Sequence, residues 1–482
     1  MATRSWVSPR TGESKELDLE LHTGQQVREV AVRSKAASEE YRLYAPSQRA
    51  DVLEALASGL EQHVEELVGI ADLESALGPT RLTGEVARTA FQLRMFATAL
   101  KDGTILTDEK DEAVEGAPPA GRPELVRKYQ GLGPVAVFGA SNFPFAFSVL
   151  GGDTASALAA GCSVVVKEHS AHPMLGARTV EMARHTLERA GHNPDIVLSV
   201  RGTEAGAELV AAPEIAAVGF TGSLAGGRAL YDIAVNRPSP VPFYGELGSV
   251  NRVVITPGAA ADRPEELGRG FVESLLLGAG QFCTKPSVLL YPHDSKILDT
   301  VRALVESAEP MALLTPKIAG EYGKRVKEMS AVASATVSAE KTPDSLGAWV
   351  TPVLFEASVE ELLSRGSQLN AECFGPAGVA VGYRSNDEVL QLLDSDEGML
   401  VGCLHAEEDE PEALAIAELL GRRAGRVVWN GWPTGVAVSG AQMHGGPYPA
   451  ATVPGATSVG LHAVMRFVRP VVWQSFPSKL LR

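Results

Sequence analysis

The chain has 482 residues, more than one small core accommodates, so two or more domains are expected. Hydrophobic residues make up 45% and charged residues 21%, ordinary values for a globular protein. The formal net charge of -16 excludes nucleic acid and anionic membrane surfaces as natural partners, because both would repel it.

Residues 1–35 are polar and irregular and read as a surface-wrapping arm. From Ser47 to Leu77 apolar residues recur at helical spacing (Val52, Leu53, Leu56, Leu60, Val64, Leu67), with Ser47 as the N-cap. A second helical pattern runs from about Gly84 to Lys101, and the acidic, Pro/Gly-rich stretch 108–122 reads as a loop. From Gly133 to Thr256 short apolar runs at 134–138, 163–166, 196–200, 215–220 and 252–256 alternate with helical segments. That alternation predicts βαβ units and a parallel sheet, which binds ligands at the carboxyl ends of its strands. After Pro264 a second α/β series follows: a helix over 265–277, strands at 287–291, 349–354, 376–382, 399–404 and 426–429, and helices at 295–308, 385–394 and 411–423. The tail around Arg466–Gln474 reads as a strand, either at an edge of its own chain or added to another subunit's sheet.

No run of about 18 apolar residues predicts a membrane span. The first ten residues carry charge without a following apolar core, so no secretory signal is predicted. Cys162, Cys283, Cys373 and Cys403 form neither a CxxC pair nor a Cys/His zinc spacing. The expectation is no metal and a reducing, cytoplasmic setting.

Chemistry concentrates in a few stretches. Gly280-Gln281-Phe282-Cys283-Thr284-Lys285-Pro286 puts a cysteine after a glycine-rich bend that follows a helical run, which suits a thiol at a cleft mouth; a buried inert cysteine is the alternative. Upstream, Tyr244-Gly245-Glu246-Leu247-Gly248 offers a carboxylate, and thiol plus carboxylate on separate loops fits covalent acyl chemistry. Asn142 follows the first parallel strand in Phe138-Gly139-Ala140-Ser141-Asn142-Phe143-Pro144, where no GxGxxG occurs. Lys167 ends the second strand in Val164-Val165-Val166-Lys167-Glu168-His169-Ser170. Phe220-Thr221-Gly222-Ser223-Leu224-Ala225-Gly226-Gly227 turns from a strand into a helix, either a phosphate-binding turn or only a tight one. Ala371-Glu372-Cys373-Phe374-Gly375-Pro376 completes the set.

Taken in chain order, and along nearly the whole chain, these stretches resemble the aldehyde dehydrogenase superfamily. The resemblance implies an α/β fold: a Rossmann-like dinucleotide-binding domain (1–112 and 133–247), an α/β catalytic domain (248–445), and a small β bridging or oligomerisation element (113–132 and 464–482). It implies Cys283 as nucleophile, Glu246 as general base and Asn142 as an oxyanion donor. For the cofactor it implies Lys167 on the adenine ribose, Gly222, Ser223 and Gly227 at the pyrophosphate, Glu372 on the nicotinamide ribose and Phe374 near the ring. Ser170 stands where NAD-preferring members often carry a glutamate, which favours NADP over NAD. After Glu246-Leu247-Gly248 the usual Gly-Lys-x-Pro is replaced by Ser249-Val250-Asn251-Arg252.

Residues 137–148, 151–161, 169–173 and 469–474 further resemble the branch that oxidises 2,5-dioxopentanoate (2-oxoglutarate semialdehyde). That substrate is an anion, and Arg88, on a helix that lines the substrate entrance in the family, is the expected partner. Phe143, Phe147 and Phe282 are expected in the substrate tunnel and Trp432 at its mouth. A small aldehyde is the implied partner, with a homodimer or homotetramer as assembly. The alternatives are a dehydrogenase of neutral aliphatic or aromatic aldehydes, and a cysteine acyltransferase or hydrolase without nucleotide. The last usually needs a histidine base, and neither the cysteine nor the glutamate motif contains one.

Overall fold

The computed structural model describes residues 3–339, 342–343, 346–364 and 368–481. Five parallel strands, Val135–Phe138, Val164–Lys167, Val197–Val200, Ala217–Thr221 and Phe243–Glu246, form the first sheet. Their spatial order is third, second, first, fourth, fifth. Strand order reverses beside Val135–Phe138, so the carboxyl ends of the strands frame a crevice there. The near-continuous apolar runs follow from burial on both faces. Helix Gly152–Ala159 is buried along its whole length, which its small residues permit.

A seven-stranded sheet forms the second layer. Six of its strands are parallel, among them Asn251–Ile255, Pro286–Pro292, Ala377–Tyr383 and Met399–His405, and Ser334–Val337 pairs antiparallel at one edge. Ala424–Trp429 is the opposite edge. A three-stranded antiparallel sheet joins Val468–Gln474, Leu125–Gly131 and Glu109–Asp111. The tail strand thus pairs within its own chain on one side and leaves its other edge open.

Several expectations are corrected. The N-terminal arm holds a hairpin (Thr3–Val7 with Ser14–Glu20) and a helix, Gly24–Tyr41, opened by a Thr23/Gln26 capping box. Its buried stripe is made largely of small residues, Ala31, Ser34, Ala37 and Ser38, which composition reads as polar. The 47–77 helix is two, Pro46–Gln62 and Val64–Ser75, and it starts on Pro46 after Ala45 instead of on a Ser47 cap. Residues 252–256 belong to the second sheet, and the 349–354 run splits into Trp349–Val350 and Val353–Ala357. Glu246 ends a strand that Pro240 and Pro242 concealed, so it does not stand on a loop.

Helix Pro264–Leu276 delivers the cysteine through a tight turn, Leu277–Gly280, in which Gly278, Ala279 and Gly280 have φ of 59, 59 and 66°. A Cβ on Gly280 would lie 2.2 Å from the Gly375 carbonyl oxygen. Two loops from distant parts of the chain therefore touch backbone to backbone. Gly280→Ala should cost about 2 kcal/mol or more, from the left-handed φ and from overpacking. Urea unfolding measures this, and an unchanged midpoint would contradict the close approach.

Candidate active site

The cysteine loop is held from three sides. Asn142 Nδ2 donates to the Gln281 carbonyl (2.7 Å), and Gln281 Oε1 accepts Leu314 N–H (2.9 Å). Asn251 Nδ2 donates to the carbonyls of Cys283 (2.8 Å) and Lys285 (2.9 Å). Buried Lys285 donates from Nζ to the carbonyls of Cys373 (2.6 Å), Gly375 (3.0 Å) and Ala377 (2.8 Å), tying the cysteine loop to the Glu372 loop. Next to Asn251, Arg252 stands where the resemblance expects a proline and forms a buried ion pair with Asp396.

Cys283, half-buried, faces two residues. Its Sγ lies 3.7 Å from His444 Nε2, and that nitrogen lies 3.0 Å from Glu246 Oε2. Ser458 Oγ donates to the same carboxylate oxygen (3.0 Å). Burial alone would push the Glu246 carboxyl up. The adjacent His444, with hydrogen bonds from His444, Cys283 and Ser458, outweighs burial and holds it below its ordinary value. The Cys283 thiol is pushed well up, first by burial and then by the Glu246 charge. His444 arrives because the irregular segment after 440 zips along the Glu246 strand: Leu247 N–H donates to Ala450 and Thr452 N–H to Gly245. His444's own backbone is pinned by Thr457 Oγ1 and Ser458 N–H.

An aromatic cluster walls the approach. Phe143 stacks edge-on against Phe147 (5.4 Å) and Phe282 (5.1 Å), and Phe147 lies 5.9 Å from the His444 ring. Arg81 lies over both Phe143 and Phe282 and donates to the Asn142 carbonyl. Arg88, two turns on from Arg81 in helix Pro79–Lys101, which starts before the expected Gly84, donates to the Val436 carbonyl. Arg81 Nη1 and Arg88 Nε are buried without a hydrogen-bond partner among the described residues. Trp432 is not brought into this cluster; its ring packs on His405 (4.5 Å) and Phe271 (6.4 Å). Its loop reaches the approach through Val436 instead.

At the crevice edge, Lys167 ends its strand half-buried and Ser170 is exposed. Ser223 caps helix Leu224–Asn236 by accepting Gly226 N–H (3.3 Å). A Cβ on Gly227 would lie 2.1 Å from Leu247, so the helix packs hard against the residue that follows the Glu246 strand. Glu372 Oε2 would touch a Cβ on Gly248 at 2.7 Å, and Phe374 is half-buried beside it in sequence. A strand-end ammonium and a glycine-lined helix N-terminus at the carboxyl ends of the first sheet's strands, with the Glu372 carboxyl against Gly248, fit a dinucleotide.

His444, Ser458, Arg81 and Lys285 escaped the sequence reading. A local pattern marks a residue only when its partners are near in sequence, and His444 meets Cys283 across 161 positions. Its one signal was an isolated histidine before Gly445-Gly446 in a stretch without helical or strand periodicity.

A family model described as the aldehyde dehydrogenase family matches residues 3–448. Alpha-ketoglutaric semialdehyde dehydrogenase 2 of Azospirillum brasilense is 41% identical over 458 residues, covering 93% of this chain and 86% of that protein. Alpha-ketoglutaric semialdehyde dehydrogenase of Acinetobacter baylyi is 39% identical over 449 residues, covering 92% and 85%. The crystal structure of PnpE in complex with nicotinamide adenine dinucleotide superposes with a TM-score of 0.83 at 22% identity, covering 99% of this chain and 95% of that one. The chain belongs to the aldehyde dehydrogenase family and is an NAD(P)-dependent, aldehyde-oxidising oxidoreductase.

Buried Glu85 fixes the segment after Asn142 by accepting the N–H groups of Phe145 (2.8 Å) and Ala146 (3.0 Å). Burial pushes its carboxyl up from 4.5 to about 7 against those bonds and the Arg81 and Arg88 charges. Below the unfolded value both states are protonated. As pH rises, the unfolded chain ionises first, so stability falls and levels off above about 7. Glu85→Gln should remove about 3 kcal/mol of that decline. Urea titrations at several pH values check this, and an unaltered pH slope would contradict it.

Proposed function

We propose that this aldehyde dehydrogenase oxidises 2,5-dioxopentanoate to 2-oxoglutarate, with Cys283 as nucleophile and NADP preferred to NAD. The observation that carries the chemistry is the thiol facing a buried carboxylate and an imidazole together. The relatives' names support the substrate. So do Arg81 and Arg88, two partly desolvated guanidiniums at the aromatic approach that suit the carboxylate of a short dioxo acid.

Glu246 takes the Cys283 proton. His444 Nε2–H, within reach of both groups, stays with whichever carries the negative charge, the carboxylate before transfer and the thiolate after. The thiolate adds to the aldehyde carbon, and the second N–H of Asn142 Nδ2 meets the oxyanion. Bound NAD(P) supplies the hydride acceptor. Glu246, having passed the thiol proton to solvent, then takes a proton from water as that water attacks the thioester and the Cys283 thiolate leaves. Lys167, Gly222, Ser223, Gly227, Glu372 and Phe374 would hold the dinucleotide. Ser170, without a carboxylate's charge, leaves room for a 2′-phosphate, while neighbouring Glu168 is engaged with Ser199 and Arg201.

The open edges of Val468–Gln474 and Ala424–Trp429, the latter with Val427 and Trp429 exposed, support a homodimer or dimer of dimers. Four free cysteines support a reducing cytoplasm.

Initial rates with the dioxo acid and a panel of neutral aldehydes, each with NADP and NAD, test the assignment. The dioxo acid with NADP should give the highest kcat/KM, and Arg88→Ala should raise KM for it about tenfold or more. A preference for neutral aldehydes would assign the aromatic tunnel to them and discard the Arg88 role. His444→Phe should lower kcat about 100-fold and shift the pH profile of Cys283 alkylation upward by about one unit. An unchanged alkylation profile would remove His444 from the mechanism.

A further inference from the structure

We propose that Cys283, His444 and Glu246 also form a three-ligand site for a sulfur-seeking divalent cation, Zn²⁺ above all, whose binding reversibly shuts the enzyme down. Among the described residues this is the one group of His, Cys, Asp or Glu side chains clustered tightly enough to hold a metal ion, with all ligating atoms within 4.8 Å of one another. The inference rests on this geometry and on no choice of substrate.

The spacing suits a tetrahedral ion. Zinc bonds of about 2.3 Å to sulfur and about 2.0–2.1 Å to nitrogen and oxygen set ligand separations of about 3.5 Å for S···N and about 3.4 Å for N···O. The corresponding Sγ···Nε2 and Nε2···Oε2 distances are 3.7 and 3.0 Å, within a few tenths of an ångström of those values, and the sulfur lies within 4.8 Å of the carboxylate. Glu246 Oε1 is buried with no N–H or O–H donor on it among the described residues, which leaves a carboxylate oxygen available to ligate. The charge also balances: a thiolate and a carboxylate against a dication, with a neutral imidazole. On binding, the S–H proton leaves to water, the imidazole proton moves from Nε2 to Nδ1, and metal bonds form to Sγ, Nε2 and the carboxylate. A fourth position stays open for water, as three-ligand sites commonly leave it. In the occupied site the metal withdraws the thiolate's charge and ties up the carboxylate base, so acylation and deacylation both stop.

The test uses the full-length, metal-free protein under anaerobic conditions, titrated with Co²⁺ and then with Zn²⁺. One equivalent of Co²⁺ should give a thiolate-to-cobalt charge-transfer band with intense tetrahedral visible bands, and Zn²⁺ should displace it. Cys283→Ser should lack the charge-transfer band, and a folded His444→Phe should bind Co²⁺ at least tenfold more weakly. Zn²⁺ should abolish turnover over the concentration range in which it displaces Co²⁺, and chelation should restore it. A wild-type protein without the charge-transfer band, a band that survives in Cys283→Ser, or Zn²⁺ inhibition that chelation does not reverse would each overturn the proposal. Because the spectra need no substrate, an error in the assigned aldehyde leaves this test intact.

Discussion

A carboxylate kept ionised inside the protein, beside a thiol kept protonated, is the constraint on which this molecule is built. Burial works against the charge on Glu246, and only the donors aimed at it, from His444, Cys283 and Ser458, reverse that tendency. The same charge discourages the thiol from ionising. In the resting site the proton therefore stays on sulfur and its transfer to the carboxylate is uphill, and the histidine between them lowers the cost of moving it. Removing any one of the three changes the other two, so they act as a unit and not as independent contributors.

Holding that unit in register is the task of the backbone around it. Glu246 ends a strand of the first sheet, Cys283 leaves a helix that covers the second, and His444 comes from an irregular segment near the end of the chain. Separate polar side chains lock each junction: Asn142 and Asn251 on the cysteine loop, Lys285 across to the Glu372 loop, and Thr457 on His444. A buried ammonium satisfied by three carbonyls is costly to desolvate and costly to break, which makes Lys285 a rigid spacer. The close contact of Gly280 with Gly375 adds to that rigidity, because neither loop can shift without the other.

The sequence carried the parallel sheets well, because strands buried on both faces write themselves as unbroken runs such as Val164–Lys167 and Val135–Phe138. It carried poorly whatever depends on small or polar residues. The Gly24–Tyr41 helix hides behind Ala and Ser, and the Phe243–Glu246 strand hides behind two prolines. Within the site, the motif residues at strand ends were legible because chemistry and turn signals coincide there. His444 was not, since its meaning comes only from a contact across most of the second half of the chain. The argument against a cysteine–histidine pair, drawn from local motifs, fails on that contact; family membership is what decides for dehydrogenation. The absence of a Cys/His spacing likewise said nothing about ligands that the fold gathers from positions 246, 283 and 444.

The central claim is that the aldehyde carbon becomes covalently attached to Cys283 and is released by water activated at Glu246. Rapid acid quenching of Glu246→Gln after mixing with 2,5-dioxopentanoate and NADP, followed by mass spectrometry of its peptides, tests this most directly. The account predicts an acyl adduct on Cys283 alone, with at most one equivalent of reduced cofactor formed before turnover stalls. Reduced cofactor formed with no adduct, or an adduct on Cys162, Cys373 or Cys403, would contradict it.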